Sequence, residues 1–132
     1  MSLQGNSRGP LGSAIGVKLD TLGDTFIRLP VGQYIPRNIT ATNANVTLAA
    51  STAQIAVYTA AAAGGTNIVA TAVLTTLTGP TVFADRTIAT ATTVFTPTYD
   101  ATQKAYGVYV RVTVVGAASQ TCDVHIFGDA VK

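Results

Sequence analysis

Hydrophobic and polar residues alternate along much of the chain in short runs, most clearly over residues 106–115. Side chains two positions apart in a β-strand point to the same face. The residues predicted to share one face are Tyr106, Val108, Val110, Val112 and Val114. A continuous apolar face of this kind is typical of a strand packed on a core, so we predict a strand at 106–115 with this face inward.

The run 121–127 repeats the two-residue period. The pattern predicts an inward face made by Cys122, Val124 and Ile126 and an opposite face made by Asp123, His125 and Phe127. The intervening residues 116–120 begin with glycine and are small or polar, as in a turn. The two runs are therefore predicted to pair as an antiparallel hairpin.

Upstream, further strand-like runs alternate with turn signals. They lie at 15–19, 25–29, 34–42, 54–59, 67–74 and 87–95. Gly64-Gly65 predicts a hairpin loop before 67–74, and Pro36, which has no N–H to donate, predicts an edge or a bulge in its strand. About eight short strands at this spacing predict an all-β, antiparallel β-sandwich, most simply a jelly roll, while an immunoglobulin-like topology stays open.

The N-terminal residues differ from the rest of the chain. Residues 1–13 are polar and contain Gly5, Gly9, Pro10 and Gly12, which predicts an extended arm that adds nothing to the core. The arm has no hydrophobic segment of the kind a secretory signal requires. Residues 14–132 are predicted to form a single β-sandwich domain, since the chain length matches one domain.

The composition adds a constraint on the surface. There are 22 Thr and 21 Ala but no Glu, which argues against a helical protein. The eight Lys and Arg residues are scattered, which argues against a nucleic-acid partner, and no apolar run approaches the roughly 20 residues of a membrane span. Only 11% of residues are charged, against about 25% in ordinary domains. This favours a subunit whose faces are covered in a symmetric assembly, with a stable domain that has a Thr-rich surface as the alternative.

The side chains used in acid–base catalysis are scarce, because the chain has one His and no Glu. Cys122 and His125 are an odd number of residues apart, so a strand places them on opposite faces and separates a nucleophile from its base. Asp123 and His125 share a face, but no serine nucleophile on a strained elbow accompanies them, and a metal site needs more ligands. We therefore predict no catalytic residue, no cofactor and no metal site, in a protein that is not an enzyme.

Several short segments resemble those of tailed-bacteriophage capsid decoration proteins, also called cement proteins. They lie at 22–25 (LGDT), 33–37 (QYIPR), 57–60 (VYTA) with Gly64-Gly65, 109–112 (YVRV) and 123–129 (DVHIFGD). The resemblance implies a jelly-roll protein on the outer capsid surface of a virion, made in the host cytoplasm. It would bind the major capsid protein, join neighbouring subunits and stabilise the shell, as a homo-oligomer with a dimer favoured over a trimer.

On this hypothesis the capsid contact is mainly apolar, with the N-terminal arm as a tether. The arginines predicted to contribute are Arg8, Arg28, Arg37 and Arg111. The alternative is a receptor- or glycan-binding virion module, in a head fibre or associated with the tail, whose exposed tyrosines stack on sugars. The candidates for stacking are Tyr34, Tyr58, Tyr99, Tyr106 and Tyr109.

Overall fold

Nine β-strands make up the fold in the computed structural model, which describes residues 11–86 and 94–131. In chain order they are β1 (Gly12–Lys18), β2 (Gly23–Arg28), β3 (Tyr34–Thr42), β4 (Gln54–Ala60), β5 (Gly64–Val73), β6 (Phe83–Arg86), β7 (Thr98–Asp100), β8 (Ala105–Val114) and β9 (Thr121–Ala130). The described residues form no helix, and the strands build two antiparallel sheets packed together. The predicted all-β, antiparallel β-sandwich is confirmed.

The strands are connected by nested ladders. The first sheet has the order β1-β9-β3-β6 and the second has the order β2-β8-β4-β5, with β7 also paired to β8. Along the chain, β1 pairs with β9, β2 with β8, β3 with β6 and β4 with β5. The chain therefore forms one long antiparallel hairpin whose turn lies between β4 and β5. This hairpin is rolled up, so that the β1–β9 and β3–β6 ladders lie in the first sheet and the β2–β8 and β4–β5 ladders lie in the second.

The predicted hairpin between the last two strands is wrong, because β8 and β9 lie in different sheets. β8 lies between β2 and β4, and β9 between β1 and β3, so each already has a partner on both sides. Residues 115–120 carry the chain across. Gln120 secures this crossing, since its buried side chain accepts hydrogen bonds from Ser51 Oγ (2.8 Å) and from the Ala117 amide (3.1 Å).

The core lies between the inward faces of the two sheets. Its central layer includes Val108 and Val110 from β8 and Cys122, Val124 and Ile126 from β9, all fully buried and on the predicted faces. Burying a side chain such as valine or isoleucine contributes about 1.5–3 kcal/mol. This layer is therefore the main interaction that holds the two sheets together.

The buried face of β8 is shorter than the sequence pattern predicts. Val112 is buried, but Tyr106 is 37% and Val114 is 38% exposed. The strand is ten residues long and extends past the core at both ends. Alternation thus identified the inward face correctly but not the points where burial stops.

Strand β3 contains the irregularity predicted at Pro36. Its register against β9 shifts between Pro36 and Asn38, as expected where a residue cannot donate a ladder hydrogen bond. The extra residue changes which positions of the strand face the core. The even-numbered residues Tyr34 and Pro36 are buried before it, and the odd-numbered residues Ile39 and Ala41 are buried after it. Both halves of the strand therefore pack on the core.

The predicted hairpin of β4 and β5 is present, and its tip returns over the second sheet. The Ala62 amide donates a hydrogen bond to Asp24 Oδ2 on β2 (2.9 Å), although β8 lies between β2 and β4. Three register shifts in the β4–β5 ladder provide the bend. Ala62 (φ 56°) and Ala63 (φ 64°) have left-handed backbone conformations, which cost about 1–2 kcal/mol each. The contacts of the tip therefore hold both alanines in a conformation that alanine disfavours.

A second, smaller apolar group lies on the outer face of the second sheet. Ala56 and Tyr109 point away from the core, yet both are buried. The Phe26 ring packs edge-to-face on Tyr109 with centroids 5.3 Å apart. It also covers Gly107, where an added Cβ would lie 2.5 Å from Phe26 Cζ. With the bent hairpin, these contacts largely close this face.

Two predicted elements extend beyond the described residues. The predicted strand at 87–95 lies outside them except for its end, where Phe95 forms an isolated bridge with Tyr34. Residues 1–10 of the predicted arm also lie outside. The sheet starts before residue 14, however, because the Leu11 amide donates to Ile126 O (2.7 Å) and β1 begins at the next residue.

The end of the predicted arm is thus part of the domain, and Leu11 packs against the core, contrary to the prediction that the arm adds nothing to it. Over the described ranges, no helix has the length and apolar character needed to cross a membrane.

We expect Val110→Asp to abolish folding, because it places an unpaired charge in the buried layer between the sheets at a cost of several kcal/mol. Val114→Asp, on the same strand but exposed, is the matched control and should change the free energy of unfolding by less than about 1 kcal/mol. Urea denaturation followed by circular dichroism measures both. A folded Val110→Asp variant would show that the inward face of β8 is wrongly assigned.

Candidate functional site

A row of polar side chains crosses the outer face of the first sheet. Ser13 of β1 pairs with His125 of β9, His125 with Thr40 of β3, and Thr40 with Asp85 of β6. They share a face because the alternate residues of each strand point into the core. The row therefore brings together side chains from four strands.

His125 is the centre of a hydrogen-bonded chain on this face. Ser13 Oγ lies 2.7 Å from its Nδ1, and Thr42 Oγ1 lies 3.0 Å from its Nε2. A neutral imidazole donates through one nitrogen and accepts through the other, so one hydroxyl donates to the ring and the other accepts from it. The half-buried ring thereby links β1, β9 and β3.

Asp123 fixes the backbone next to this chain. Its Oδ1 accepts a hydrogen bond from the Gly16 amide (2.8 Å) and its Oδ2 accepts one from Asn43 Nδ2 (3.1 Å). These bonds compensate for the burial of the carboxylate. Gly16 lies in the β1 bulge at φ 68°, a left-handed conformation that glycine adopts without strain.

The serine and the imidazole stand in the relation that nucleophilic catalysis requires, but the rest of the arrangement differs. The second ring nitrogen meets the Thr42 hydroxyl rather than a carboxylate, and the Asp123 carboxylate is bonded elsewhere. Ser13 lies in a strand ladder, directly opposite His125, and not on a turn. The geometry suits a structural chain that cross-links three strands.

Ser13 could not be placed beside His125 from the sequence, because 112 residues separate them. The sequence feature that pointed to this face was the pair of polar residues, Asp123 and His125, at outward positions of the run 121–127. The predicted separation of Cys122 from His125 is confirmed, since the thiol is fully buried in the core and the imidazole is on the outer face.

Two exposed apolar side chains flank the polar row, one at each edge of the first sheet. Ile15 on β1 and Phe83 on β6 are each 69% exposed. Phe83 pairs with Thr42, which pairs with Asp123, and Ile15 lies in the bulge of β1 beside Asp123. The two therefore occupy one row at opposite edges. Each offers an apolar anchor to a partner that covers this face of the sheet.

A second exposed group lies at one end of the sandwich, where β7 pairs with the start of β8. Tyr99 and Tyr106 are exposed cross-strand partners whose rings pack edge-to-face with centroids 5.2 Å apart. The Leu29 amide donates to Tyr106 O (2.9 Å), which brings exposed Val31 to the same end. Arg28 pairs with Gly107 and therefore points to the other face of the sheet. We call Val31, Tyr99 and Tyr106 the tyrosine patch.

The other three tyrosines are placed less well for stacking on a ligand. Tyr34 is buried and donates its hydroxyl to Pro30 O (2.7 Å). Tyr58 is half-buried, and Tyr109 is buried beneath the hairpin. Of the five tyrosines, all within the described part of the chain, Tyr99 and Tyr106 of the tyrosine patch are the two that are exposed.

A short hydrogen bond joins Tyr109 to the turn between β7 and β8. The Tyr109 hydroxyl donates to Asp100 Oδ2 (2.5 Å), while Oδ1 accepts from the amides of Gln103 (2.9 Å) and Thr102 (2.8 Å). These bonds, that from Tyr109 above all, hold the pKa of Asp100 below its usual value. Burial, together with the bond to Asp100, raises the pKa of Tyr109 to about 12.

The four arginines predicted to contact a capsid do not lie on one surface. Arg8 is outside the described residues, Arg28 and Arg111 lie on the outer face of the second sheet, and Arg37 lies on β3 of the first. Two of them already have a carboxylate partner. These pairs are Arg37 Nε with Asp129 Oδ2 (2.5 Å) and Arg111 Nη1 with Asp24 Oδ1 (3.1 Å).

Residues 11–86 and 94–131 contain no group of three or more His, Cys, Asp or Glu side chains placed to hold a metal ion. Comparison of the chain with protein-family models, curated protein sequences and solved structures gives no match. A function for this chain must therefore be inferred from its own surfaces.

The bond between Asp100 and Tyr109 should make stability depend on pH at both extremes. The lowered pKa of Asp100 means that its contribution is present above about pH 4 and is lost as pH falls through the folded value. The raised pKa of Tyr109 means that its contribution is present below about pH 10 and is lost as pH rises through about 12.

Chemical denaturation should therefore show wild-type protein losing stability relative to Tyr109→Phe below about pH 4 and again between about pH 10 and 12. A stability difference that does not vary with pH would contradict the bond.

His125→Ala should lower the free energy of unfolding by about 1–2 kcal/mol, because it removes two hydrogen bonds that link three strands. Ser13→Ala, which leaves the bond to Thr42 in place, should cost less. Neither variant should change the rate at which the protein hydrolyses an activated ester. Labelling of Ser13 by a fluorophosphonate, lost in His125→Ala, would show instead that the pair is catalytic.

Proposed function

We propose that this protein is a non-enzymatic structural component of a phage virion, which binds the outside of the capsid and joins neighbouring major capsid subunits. The proposal begins with the resemblance of its segments to capsid decoration proteins. The observation that carries it is exposed apolar surface on a chain with 11% charged residues, in particular at Ile15, Val31, Phe83 and Tyr99. Exposed apolar side chains that lie next to one another, as Tyr99 and Tyr106 do, are typical of an interaction surface.

The nested ladders support a jelly roll. With β7 set aside, eight strands remain, and their four ladders alternate between the two sheets. A rolled pair of Greek keys has this order and is common among viral capsid proteins and lectins. Since one fold serves many functions, this agreement supports the proposal only together with the surface.

We assign the capsid contact to the tyrosine patch. Its two rings and Val31 offer apolar area, and the tyrosine hydroxyls supply polar groups around it, a composition typical of the energetic centre of an interface. A mainly apolar contact depends little on salt. Residues 1–10 act as a tether in this proposal, and many identical weak contacts on a closed shell add up through multivalency.

The same patch supports the alternative function, in which the virion protein binds a receptor glycan. An exposed tyrosine ring can stack on the apolar face of a sugar, and its hydroxyl can donate a hydrogen bond. The pair formed by Tyr99 and Tyr106 favours this alternative. The two functions differ in the ligand that the patch retains.

Tyr99→Ala should weaken binding to decoration-free capsids of the phage that encodes the chain at least tenfold, or about 1.4 kcal/mol, because it removes an exposed ring from the centre of the patch. Co-sedimentation with capsids measures this. Leu22→Ala, at an exposed position just before β2 and so at the opposite end of that strand from Val31, is the matched control and should bind as wild type does.

Capsid binding that Tyr99→Ala leaves unchanged would contradict the assignment of the patch. Protein that does not bind capsids, yet is retained by a glycan array in a manner that depends on Tyr99, would support the alternative function instead.

A further inference from the structure

We propose that the outer face of the first sheet binds the same face of a second copy of this chain, forming a two-fold dimer. The proposal does not depend on capsid binding. It rests on where the exposed apolar residues lie, on how the polar residues between them are bonded, and on the size of the face.

The positions of Ile15 and Phe83 match under a simple symmetry. Both lie in the row of Asp123 and Thr42, at opposite edges of the sheet. We consider a two-fold axis that runs parallel to the strands, above the outer face and midway between β9 and β3. Rotation about this axis places β1 of one copy over β6 of the other. It does not change the position of a residue along the strand direction. Two copies related in this way place Ile15 of each over Phe83 of the other. Two-fold interfaces are self-complementary in this manner.

The polar row between these edges can be covered at low cost, because its side chains already bond to one another. His125 has a partner on each ring nitrogen, and Asp123 has one on each carboxylate oxygen. Thr40 Oγ1 donates to Asp85 Oδ1 (2.9 Å) and accepts from Asn38 Nδ2 (3.1 Å). A second copy therefore displaces few hydrogen bonds to water, which is the usual penalty for covering polar groups.

Charge is also compatible with this pairing. The same axis places the Asp85 carboxylate of one copy over Ser13, one strand from His125, of the other. The carboxylate then faces a hydroxyl and an imidazole rather than a second carboxylate. Like charges facing each other across an interface would oppose binding, and this arrangement avoids that for Asp85.

The area of the face sets the expected strength. Four strands spaced about 4.8 Å apart, with the seven residues of β1 rising about 3.3 Å each, give a face of about 19 by 23 Å. Two copies would cover about 900 Å², less than the roughly 1,200 Å² at which specific stable interfaces begin. We therefore expect a weak dimer, with a dissociation constant in the micromolar range or above.

Sedimentation of the full chain, without capsids, tests the proposal. Wild-type protein should pass from monomer to dimer as its concentration rises towards about 1 mM. Ile15→Asp and Phe83→Asp should each weaken the dimer at least tenfold, since each places a charge in both apolar contacts. Tyr99→Asp, at an exposed position on β7 of the second sheet, is the control and should dimerise as wild type does. Circular dichroism confirms that each variant is folded.

Chemical cross-linking tests the symmetry. Face-packed sheets lie about 10 Å apart, beyond the reach of a disulfide, so a short bismaleimide is the reagent. A mixture of Ile15→Cys and Phe83→Cys should give a cross-linked dimer, while either variant alone should not. The native Cys122 is fully buried and should not react.

A wild-type protein that stays monomeric at about 1 mM would overturn the proposal. So would a dimer that Ile15→Asp and Phe83→Asp leave intact, or cross-linking of Ile15→Cys alone as efficient as that of the mixture. These outcomes are independent of capsid binding, which is measured by the tyrosine patch variants.

Discussion

The ladder between β1 and β9 closes the whole fold, because it joins strands from the two ends of the described chain. Ser13 and His125, which face each other in this ladder, are 112 residues apart. β9 also lies between β1 and β3, so the first sheet is incomplete until the last strand is in place. Each ladder encloses a shorter one, down to the hairpin of β4 and β5. Closing such distant contacts costs chain entropy before they contribute stability, and topologies of this kind fold slowly.

The nested topology also makes the two outer faces unequal. On the second sheet, the hairpin at the centre of the roll bends back, and the bond from the Ala62 amide to Asp24 holds its tip over β8. On the first sheet, the outer face presents bonded polar side chains between Ile15 and Phe83. The proposed contacts with a second copy and with a capsid therefore use separate surfaces, the first sheet and the tyrosine patch at one end. One subunit can then engage both partners at the same time.

The sequence pattern predicted which side chains face the core, but not which strands pair. Alternation placed Val110 and Val124 inward correctly, because it depends only on the two-residue period of a strand. It could not show that residues 115–120 cross between sheets, since a turn within a hairpin and a crossing of similar length have similar composition. Pro36 was predictable because its missing N–H acts locally. The chain through Ser13, His125 and Thr42 was not, because its members meet only after three distant strands align.

The bulges of β5 have a consequence for how the protein behaves at high concentration. This strand runs for ten residues along the edge of the second sheet without a charged residue or a proline. A flat edge of that composition would recruit strands from other molecules into a growing fibril. At each of three register shifts, however, β5 has one residue more than β4 does, so its outer edge is broken into short, twisted pieces. The bulges therefore oppose the addition of strands from other molecules at this edge. Lysine side chains do this at other sheet edges, but this chain has very few lysines.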